Sequence, residues 1–146
     1  MPPTSRAVKK YTGLCFIGLL ALVAGAGCNP PADYALVGSA YVPAAHGDIH
    51  IEKIDKEQIL VVVAIDQLPP PAEIEPGMQH YIIWFNAVGE YPSPQQALEY
   101  DAETRTGRAS IPTSMREFDI QITTEQSDRP AQPSDILVAA QKIREK

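Results

Sequence analysis

Several short segments of this chain alternate apolar and polar residues with a period of two, the pattern of β-strands that bury one face. Asp48–Glu52 places Ile49 and Ile51 on one face, and Phe118–Thr123 repeats the alternation further along. Ile59–Ile65 is a run of mainly β-branched residues, too apolar for an edge, and is predicted to be a central strand. Prolines are frequent (14 residues), and proline ends such strands because it cannot donate to a hydrogen-bond ladder. The chain is therefore predicted to be all-β.

The spacing of the segments indicates how the strands pack, because seven or eight short strands broken by Pro and Gly are typical of an antiparallel β-sandwich. Turns are predicted at Asp55–Gln58, Leu68–Pro71, Glu75–Gly77 and Glu103–Gly107. The remaining strands are predicted at Tyr34–Val42, His80–Phe85, Ser134–Ile143 and, as a hairpin pair, Ala97–Asp101 and Arg108–Ile111. Ser134–Ile143 is equally compatible with a short helix, because it contains an Ala-Ala-Gln-Lys stretch.

The second strongly apolar strand is expected to contribute heavily to the core. Its alternation places Tyr81, Ile83 and Phe85 on one face and Ile82 and Trp84 on the other. Trp84 is the only tryptophan in the chain. Its position in a central strand predicts that its side chain lies in the sandwich core.

The N-terminus carries a different pattern, an apolar run that ends at a cysteine. Arg6, Lys9 and Lys10 precede the run at 12–27, and Cys28 follows it. This order resembles a bacterial lipoprotein signal, in which Cys28 is the lipid-attachment residue. The resemblance predicts a helical signal peptide over 1–27, a short tether over 28–33 and a β-sandwich domain over 34–146.

Two other interpretations of this N-terminus remain open. Gly25 stands where lipoprotein signals usually have leucine, and its small neighbours also permit an ordinary secretory cleavage after Ala26. The third interpretation is an uncleaved anchor, although a transmembrane helix usually needs about 20 apolar residues and this run is shorter. The cysteine count favours lipidation. Cys15 would leave with the signal, so Cys28 would have no disulfide partner.

The residue after the cysteine bears on the destination of the protein. Asn29, and not aspartate, follows Cys28, and this resembles the class of lipoproteins that two-membrane bacteria send to the outer membrane. The expected location is therefore the cell envelope, with the domain lipid-anchored and facing the periplasm or the outside. The outer membrane is favoured over the inner one.

Charge limits the partners of the mature domain. The chain has 12 Lys and Arg against 18 Asp and Glu, and the segment 1–27 holds three of the bases and none of the acids. The part that follows is therefore more acidic than the whole chain, whose formal net charge is −6. Such a surface argues against nucleic acid or anionic lipid headgroups as partners. It suits a basic partner or simply keeps the domain soluble.

The second half of the domain is similar to a known group of exported domains. Tyr81–Phe85, Ala97–Asp101, Phe118–Glu125 and the segment from Pro130 to Ser134 follow one another in the order seen in the extracytoplasmic domain of anti-sigma-K-type regulators. This resemblance implies an antiparallel Ig-like β-sandwich of about seven strands. Those regulators carry a sigma-binding domain before a membrane span, and here only about ten residues precede the apolar run. Sigma-factor binding is therefore not implied.

Four side chains are weak candidates for a divalent-cation site. His46, Asp48, His50 and Glu52 lie within seven residues, with N and O donors that such ions accept, and His80 could arrive from another strand. The preferred interpretation is the polar face of an amphipathic strand, because strand faces are routinely polar. No metal, cofactor or catalytic residue is therefore assigned.

Other polar residues do not form a catalytic pattern. No serine lies in a Gly-x-Ser-x-Gly turn. Asp101 and Glu103 could act as an acid and base pair, and the tip at Thr104–Arg108 could bind an anion, but a polar hairpin explains both. The expected function is a lipid-anchored, non-enzymatic envelope protein that binds a protein partner or acts as a structural accessory. The alternative is a periplasmic protein that binds a metal or small ligand.

Overall fold

The computed structural model of the protein describes residues 32–144. The predicted signal peptide over 1–27 and the predicted lipid-attachment residue Cys28 lie outside the described residues. Within that range, no helix has the length and apolar character needed to cross a membrane. The elements are β1 (Ala32–Val37), β2 (His46–Lys53), β3 (Ile59–Asp66), α1 (Pro71–Ile74), β4 (His80–Ala87), β5 (Ser93–Ala97), β6 (Glu99–Asp101), β7 (Thr106–Thr113), β8 (Phe118–Glu125) and β9 (Leu137–Ile143).

The strands form two antiparallel sheets that face each other as a β-sandwich. The five-stranded sheet has the order β1-β2-β3-β7-β6, and the four-stranded sheet has the order β5-β4-β8-β9. β3 lies between β2 and β7, and its buried residues alternate along the strand. The prediction of a central strand over Ile59–Ile65 is therefore confirmed.

The core lies between the two sheets. Alternate residues of β3, β4 and β8 supply it, and the rings of Phe85 and Phe118 stack across neighbouring strands with their centroids 4.6 Å apart. Tyr81 also faces this core, and its hydroxyl donates to the carbonyl oxygen of Pro69. The predicted division of β4 into two faces is thus confirmed, but Trp84, which was expected in the core between the sheets, is buried on the outer face instead. Full burial of each such side chain contributes about 1.5–3 kcal/mol, so packing is the main source of stability.

The first strand is shorter than predicted and begins earlier. β1 covers Ala32–Val37, and the predicted continuation to Val42 is wrong because the chain turns after Gly38. The amide of Val42 donates to the carbonyl of Ser39, and the amide of Ala45 donates to the carbonyl of Val42. Apolar residues in this turn, such as Val42, are buried, so hydrophobicity alone gave a strand that was too long.

The sandwich has nine strands where about seven were predicted, because β5 begins at Ser93 in a segment that was not predicted to be a strand, and the strand predicted over Ala97–Asp101 is divided between the sheets. The segment predicted over Ala97–Asp101 contains the end of β5, which pairs with β4, and all of β6, which pairs with β7. Leu98 lies at the crossing, and its amide donates to the carbonyl of Tyr81 (2.8 Å). The hairpin between β6 and β7 is confirmed. The segment Ser134–Ile143, which the sequence left as either a strand or a short helix, contains a strand over Leu137–Ile143.

One side of the sandwich is closed by contacts between the first and last strands. Gly38 forms an isolated antiparallel bridge with Ala139. The amide of Ser39 donates to the carbonyl of Val138 (2.7 Å), and the hydroxyl of Tyr34 donates to the carbonyl of Arg144 (2.8 Å). β1 and β9, each at the edge of its own sheet, are therefore joined at this corner. This covers part of the backbone that an edge strand would otherwise expose.

Candidate functional site

A charged group lies on the outer face of the five-stranded sheet, near the start of β1 and in the second half of β2. Asp33 and His50 are direct register partners, and the His50 Nδ1 atom is hydrogen-bonded to a carboxylate oxygen of Asp33. The Nε2 atom lies 3.4 Å from a carboxylate oxygen of Glu52. One imidazole therefore links a side chain of the first strand to one of the second.

The surroundings of His50 favour its protonated form. The hydrogen bond to Asp33 raises the pKa of His50 above its ordinary value of 6.5, and the negative charges of Asp33 and Glu52 add to this effect. All three side chains are partly exposed, so solvent screens the attraction between them. Protonated His50 donates from both ring nitrogens, which suits a bridge between two carboxylates.

The structure does not bring the other weak metal candidates into this group. His46 lies at the end of β2, where its Nδ1 atom is 3.0 Å from the carbonyl oxygen of Ala44. Asp48 has no ion pair among the described residues. His80 begins β4 in the other sheet, where it pairs with Glu125. Across residues 32–144, no three His, Cys, Asp or Glu side chains are placed so that they could hold a metal ion.

Asp33 is the member of the charged group that sequence reasoning missed. It lies in the predicted tether over 28–33, but β1 begins at Ala32 and includes it. The signal that could have found it is the alternation of Asp33 with Tyr34 and Leu36, both of which lie on the opposite face. A strand that begins at Ala32 places Asp33 on the outer face beside β2.

Asp101 and Glu103, which the sequence places in a polar hairpin, lie at the turn between β6 and β7. One carboxylate oxygen of Asp101 accepts the backbone N–H groups of Glu103 (2.8 Å) and Thr104 (3.3 Å). These hydrogen bonds, the one from Glu103 first, lower the pKa of Asp101. Arg105 has a positive φ of 55° and lies 3.7 Å from the carboxylate of Glu73. The charged side chains of Asp101 and Arg105 thus both have partners within the protein.

A buried polar network lies on the outer face of the four-stranded sheet. The Trp84 indole N–H donates to the hydroxyl oxygen of Thr123 (2.8 Å), and that hydroxyl donates to a carboxylate oxygen of Glu125 (2.6 Å). The same oxygen accepts the backbone N–H of Ser134 (2.7 Å). Glu125 is only 6% exposed. These hydrogen bonds offset the cost of burying its carboxylate.

The network attaches the connection between β8 and β9, residues 126–136, to the end of β8. The hydroxyl of Ser134 donates to the carbonyl of Thr124 (2.7 Å), and the amide of Thr124 donates to the carbonyl of Ile136 (3.3 Å). The connection and β5 border a shallow cleft of about 330 Å³. Its lining is mixed, with apolar, amide and charged residues: Ile82, Pro94, Gln95, Gln96, Asp128, Arg129 and Pro130.

Comparisons of this chain with protein-family models, with curated proteins and with solved structures find no match. Within 32–144, no serine hydroxyl is hydrogen-bonded to a histidine. The charged and polar groups described above bond mainly to one another or to the backbone, as expected where polar groups stabilise strands and turns.

Proposed function

We propose that this protein is a lipid-anchored, non-enzymatic protein of the cell envelope, whose Ig-like β-sandwich binds a protein partner or acts as a structural accessory. The observation that carries the proposal is the position of Cys28. It directly follows an apolar run with a basic start, and it is the only cysteine in residues 16–146. Acylation of that cysteine would give the domain a stable membrane anchor, because a lipoprotein cysteine carries more than one acyl chain.

The order of the strands supports the Ig-like assignment. In an Ig domain one sheet has the order A-B-E-D and the other contains C-F-G, with C′ added beside C in some types. Here β2-β3-β7-β6 follow the first order, and β5-β4-β8-β9 follow the order C′-C-F-G. β1 is then an additional strand beside A. The resemblance of Tyr81–Phe85 and Phe118–Glu125 to exported Ig-like domains points in the same direction.

A non-enzymatic role is supported by the structural use of the polar residues. Asp101 accepts the backbone N–H groups of its own turn, and Glu125 accepts hydrogen bonds that fasten the β8–β9 connection. Sandwich loops and edges commonly serve as binding surfaces. The acidic composition of the mature chain favours a protein partner over nucleic acid, and Asn29 favours the outer membrane.

The anchoring part of the proposal is tested by replacing Cys28 in the full-length protein. We expect Cys28→Ser to move the protein from the membrane fraction to the soluble fraction or to block its processing, and to abolish labelling with an alkyne analogue of palmitate. Cys15→Ser is the matched control, because Cys15 lies in the predicted signal, and it should change neither readout. The intact mass of the mature protein adds a third readout.

Each alternative has its own outcome. Cleavage after Ala26 gives a soluble protein with an unmodified Cys28. With an uncleaved anchor, the parent itself stays in the membrane fraction at full mass and is not labelled with the palmitate analogue. Either result contradicts lipidation.

Chemical cross-linking in intact cells, followed by identification of the cross-linked peptides, tests for a protein partner, and a monomer without cross-links would contradict a binding role.

A further inference from the structure

The topology shows which end of the five-stranded sheet receives the N-terminal segment. β1 begins at Ala32, which pairs with Ile51 close to the turn between β2 and β3. The other end of β1, at Val37, pairs with His46. The chain that follows Cys28 therefore enters the sandwich beside the β2–β3 turn, residues 54–58.

Contacts with β1 show which end of the four-stranded sheet lies beside the β2–β3 turn. The last residue of β9, Ile143, pairs with Phe118, and Phe118 also pairs with Ala87 at the end of β4. Arg144 follows β9, and its carbonyl oxygen accepts a hydrogen bond from the hydroxyl of Tyr34 in β1. The β4–β5 loop, residues 88–92, and the β7–β8 connection, residues 114–117, therefore lie at this end. With residues 54–58 they form the tether end of the sandwich.

Large apolar side chains are exposed at the tether end. Ile54 is 51% exposed, Val88 77% and Tyr91 95%. Two other large apolar side chains of the described part are strongly exposed, Val37 and Tyr41, and these lie at the opposite end. Isolated exposed apolar residues are common on soluble proteins. The tether end is distinguished by carrying three of them on the loops nearest the proposed lipid anchor.

The chain between the anchor and the sandwich is short. Cys28 precedes Ala32 by four residues, and an extended chain spans at most about 3.3–3.6 Å per residue, so the anchored cysteine lies within about 14 Å of the first strand. A phospholipid headgroup layer is about 5–8 Å thick on each side of the hydrocarbon. We propose that Ile54, Val88 and Tyr91 contact the surface of a zwitterionic phospholipid bilayer and hold the sandwich upright on the membrane. The inference rests on the proposed acylation of Cys28.

The chemistry of the tether end fits a zwitterionic surface. Its turns and the adjoining Arg144 carry acids and bases in nearly equal number: Asp55, Glu57, Glu90 and Glu117 against Lys56, Arg116 and Arg144. Arg116 also donates to the carbonyl of Lys56 (2.8 Å), which links two of these turns. Tyr91 has the amphipathic ring that is enriched at membrane interfaces.

The opposite end is much more acidic and has no comparable attachment. Its loops carry a clear excess of acids: Glu73, Glu75, Glu103, Asp128 and Asp135 against Arg105 and Arg129. Contact of the tether end with lipid would direct this acidic end away from the membrane. A protein partner would then approach the acidic end.

The test uses the full-length acylated protein in vesicles of phosphatidylcholine, with or without bromine on the acyl chains. Tyr91→Trp introduces an indole at the tether end, and Tyr41→Trp introduces one at the opposite end as a matched control. Trp84 is fully buried and supplies a constant background in both variants. We expect brominated vesicles to quench most of the added emission of Tyr91→Trp and none of the added emission of Tyr41→Trp.

The outcomes separate the membrane contact from the anchor. If both variants remain bound to the vesicles but the Tyr91→Trp emission is not quenched, the membrane contact is wrong while the lipid anchor stands. A blue-shifted but unquenched emission assigns the surface to a second copy or another protein and also overturns the inference. If neither variant binds the vesicles, the anchor and the inference that rests on it are both wrong. Circular dichroism checks that both variants fold like the parent.

Discussion

At the scale of single residues, Trp84 shows how a side chain can be buried outside the main core. It lies in β4 on the face opposite to Tyr81, Ile83 and Phe85, yet it is fully buried. The outer face of this sheet is therefore shielded from solvent at the position of Trp84. Thr123 satisfies the indole N–H, and the β8–β9 connection borders the neighbouring cleft.

The burial of Trp84 predicts a large loss of stability on truncation. Trp84→Ala should lower the free energy of unfolding by about 3–5 kcal/mol, because it removes a large buried side chain and leaves a cavity. Trp84→Phe should cost less, since it keeps most of the apolar volume but leaves the Thr123 hydroxyl without its donor. Urea denaturation measures both. An unchanged midpoint for Trp84→Ala would show that the indole is not buried in solution.

His50 predicts a pH-dependent contribution to stability. Its folded-state pKa is raised above the ordinary 6.5 by the hydrogen bond to Asp33 and the nearby carboxylates. The contribution is therefore complete below the unfolded pKa and is lost as the pH rises through the folded pKa. We expect the melting temperature of the parent, relative to that of His50→Gln, to be highest below pH 6.5 and to fall as the pH rises above that value.

Nuclear magnetic resonance titration of the His50 ring tests the cause directly. The parent should show a pKa above 6.5, and Asp33→Asn should lower it because the first-strand carboxylate is the main partner. A His50 pKa that is the same in Asp33→Asn and in the parent would contradict the predicted contact between β1 and β2.

At the scale of the secondary-structure elements, the strands with the strongest apolar or alternating patterns were predicted well. Ile59–Ile65, His80–Phe85 and Phe118–Thr123 lie within β3, β4 and β8. Each lies between two neighbours, so its pattern records burial directly. The division of Ala97–Asp101 between two sheets was not predictable in the same way. No local pattern distinguishes a continuous strand from one that changes sheet at Leu98.

The close approach of β2 and β3 leads to a prediction for Gly47. A β-carbon on Gly47 would lie 2.0 Å from the carbonyl oxygen of Ala64 and 2.7 Å from the Cα of Ile65. Gly47→Ala should therefore lower the free energy of unfolding by about 1–3 kcal/mol or more, because the backbone of a packed strand has to move. Ser110→Ala, on the exposed face of β7, is the control and should change the midpoint little. Equal midpoints for the two variants would contradict the strand spacing at Gly47.

At the scale of the whole molecule, the two sheets are joined on both sides. β1 meets β9 through the bridge between Gly38 and Ala139, and the chain passes from β5 to β6 at Leu98, whose amide donates to Tyr81. These joints limit the exposed edges through which sandwiches can associate with other strands. They also join the first and last strands into one unit, so we expect the described part to unfold cooperatively.

The absence of disulfides from the sandwich gives a prediction for the whole domain. Residues 29–146 contain no cysteine, so hydrophobic packing has to provide the stability that disulfides give many small exported domains. A thiol reductant should leave the urea midpoint of the mature protein unchanged. A midpoint that falls with reductant would show a disulfide between two copies through Cys28, and this would contradict the proposed acylation of Cys28.

The sequence by itself determined the all-β class, the central strands and the turns, because burial and proline placement leave local patterns that depend on neighbouring residues alone. Only the tertiary structure decided that Asp33 meets His50, that Trp84 is covered on an outer face, and that one predicted strand serves both sheets. These features depend on which distant segments pair. The sequence also supplied the anchor hypothesis at Cys28, and the tertiary structure added the direction from which that anchor enters, because the register of β1 with β2 places Ala32 beside one particular set of loops.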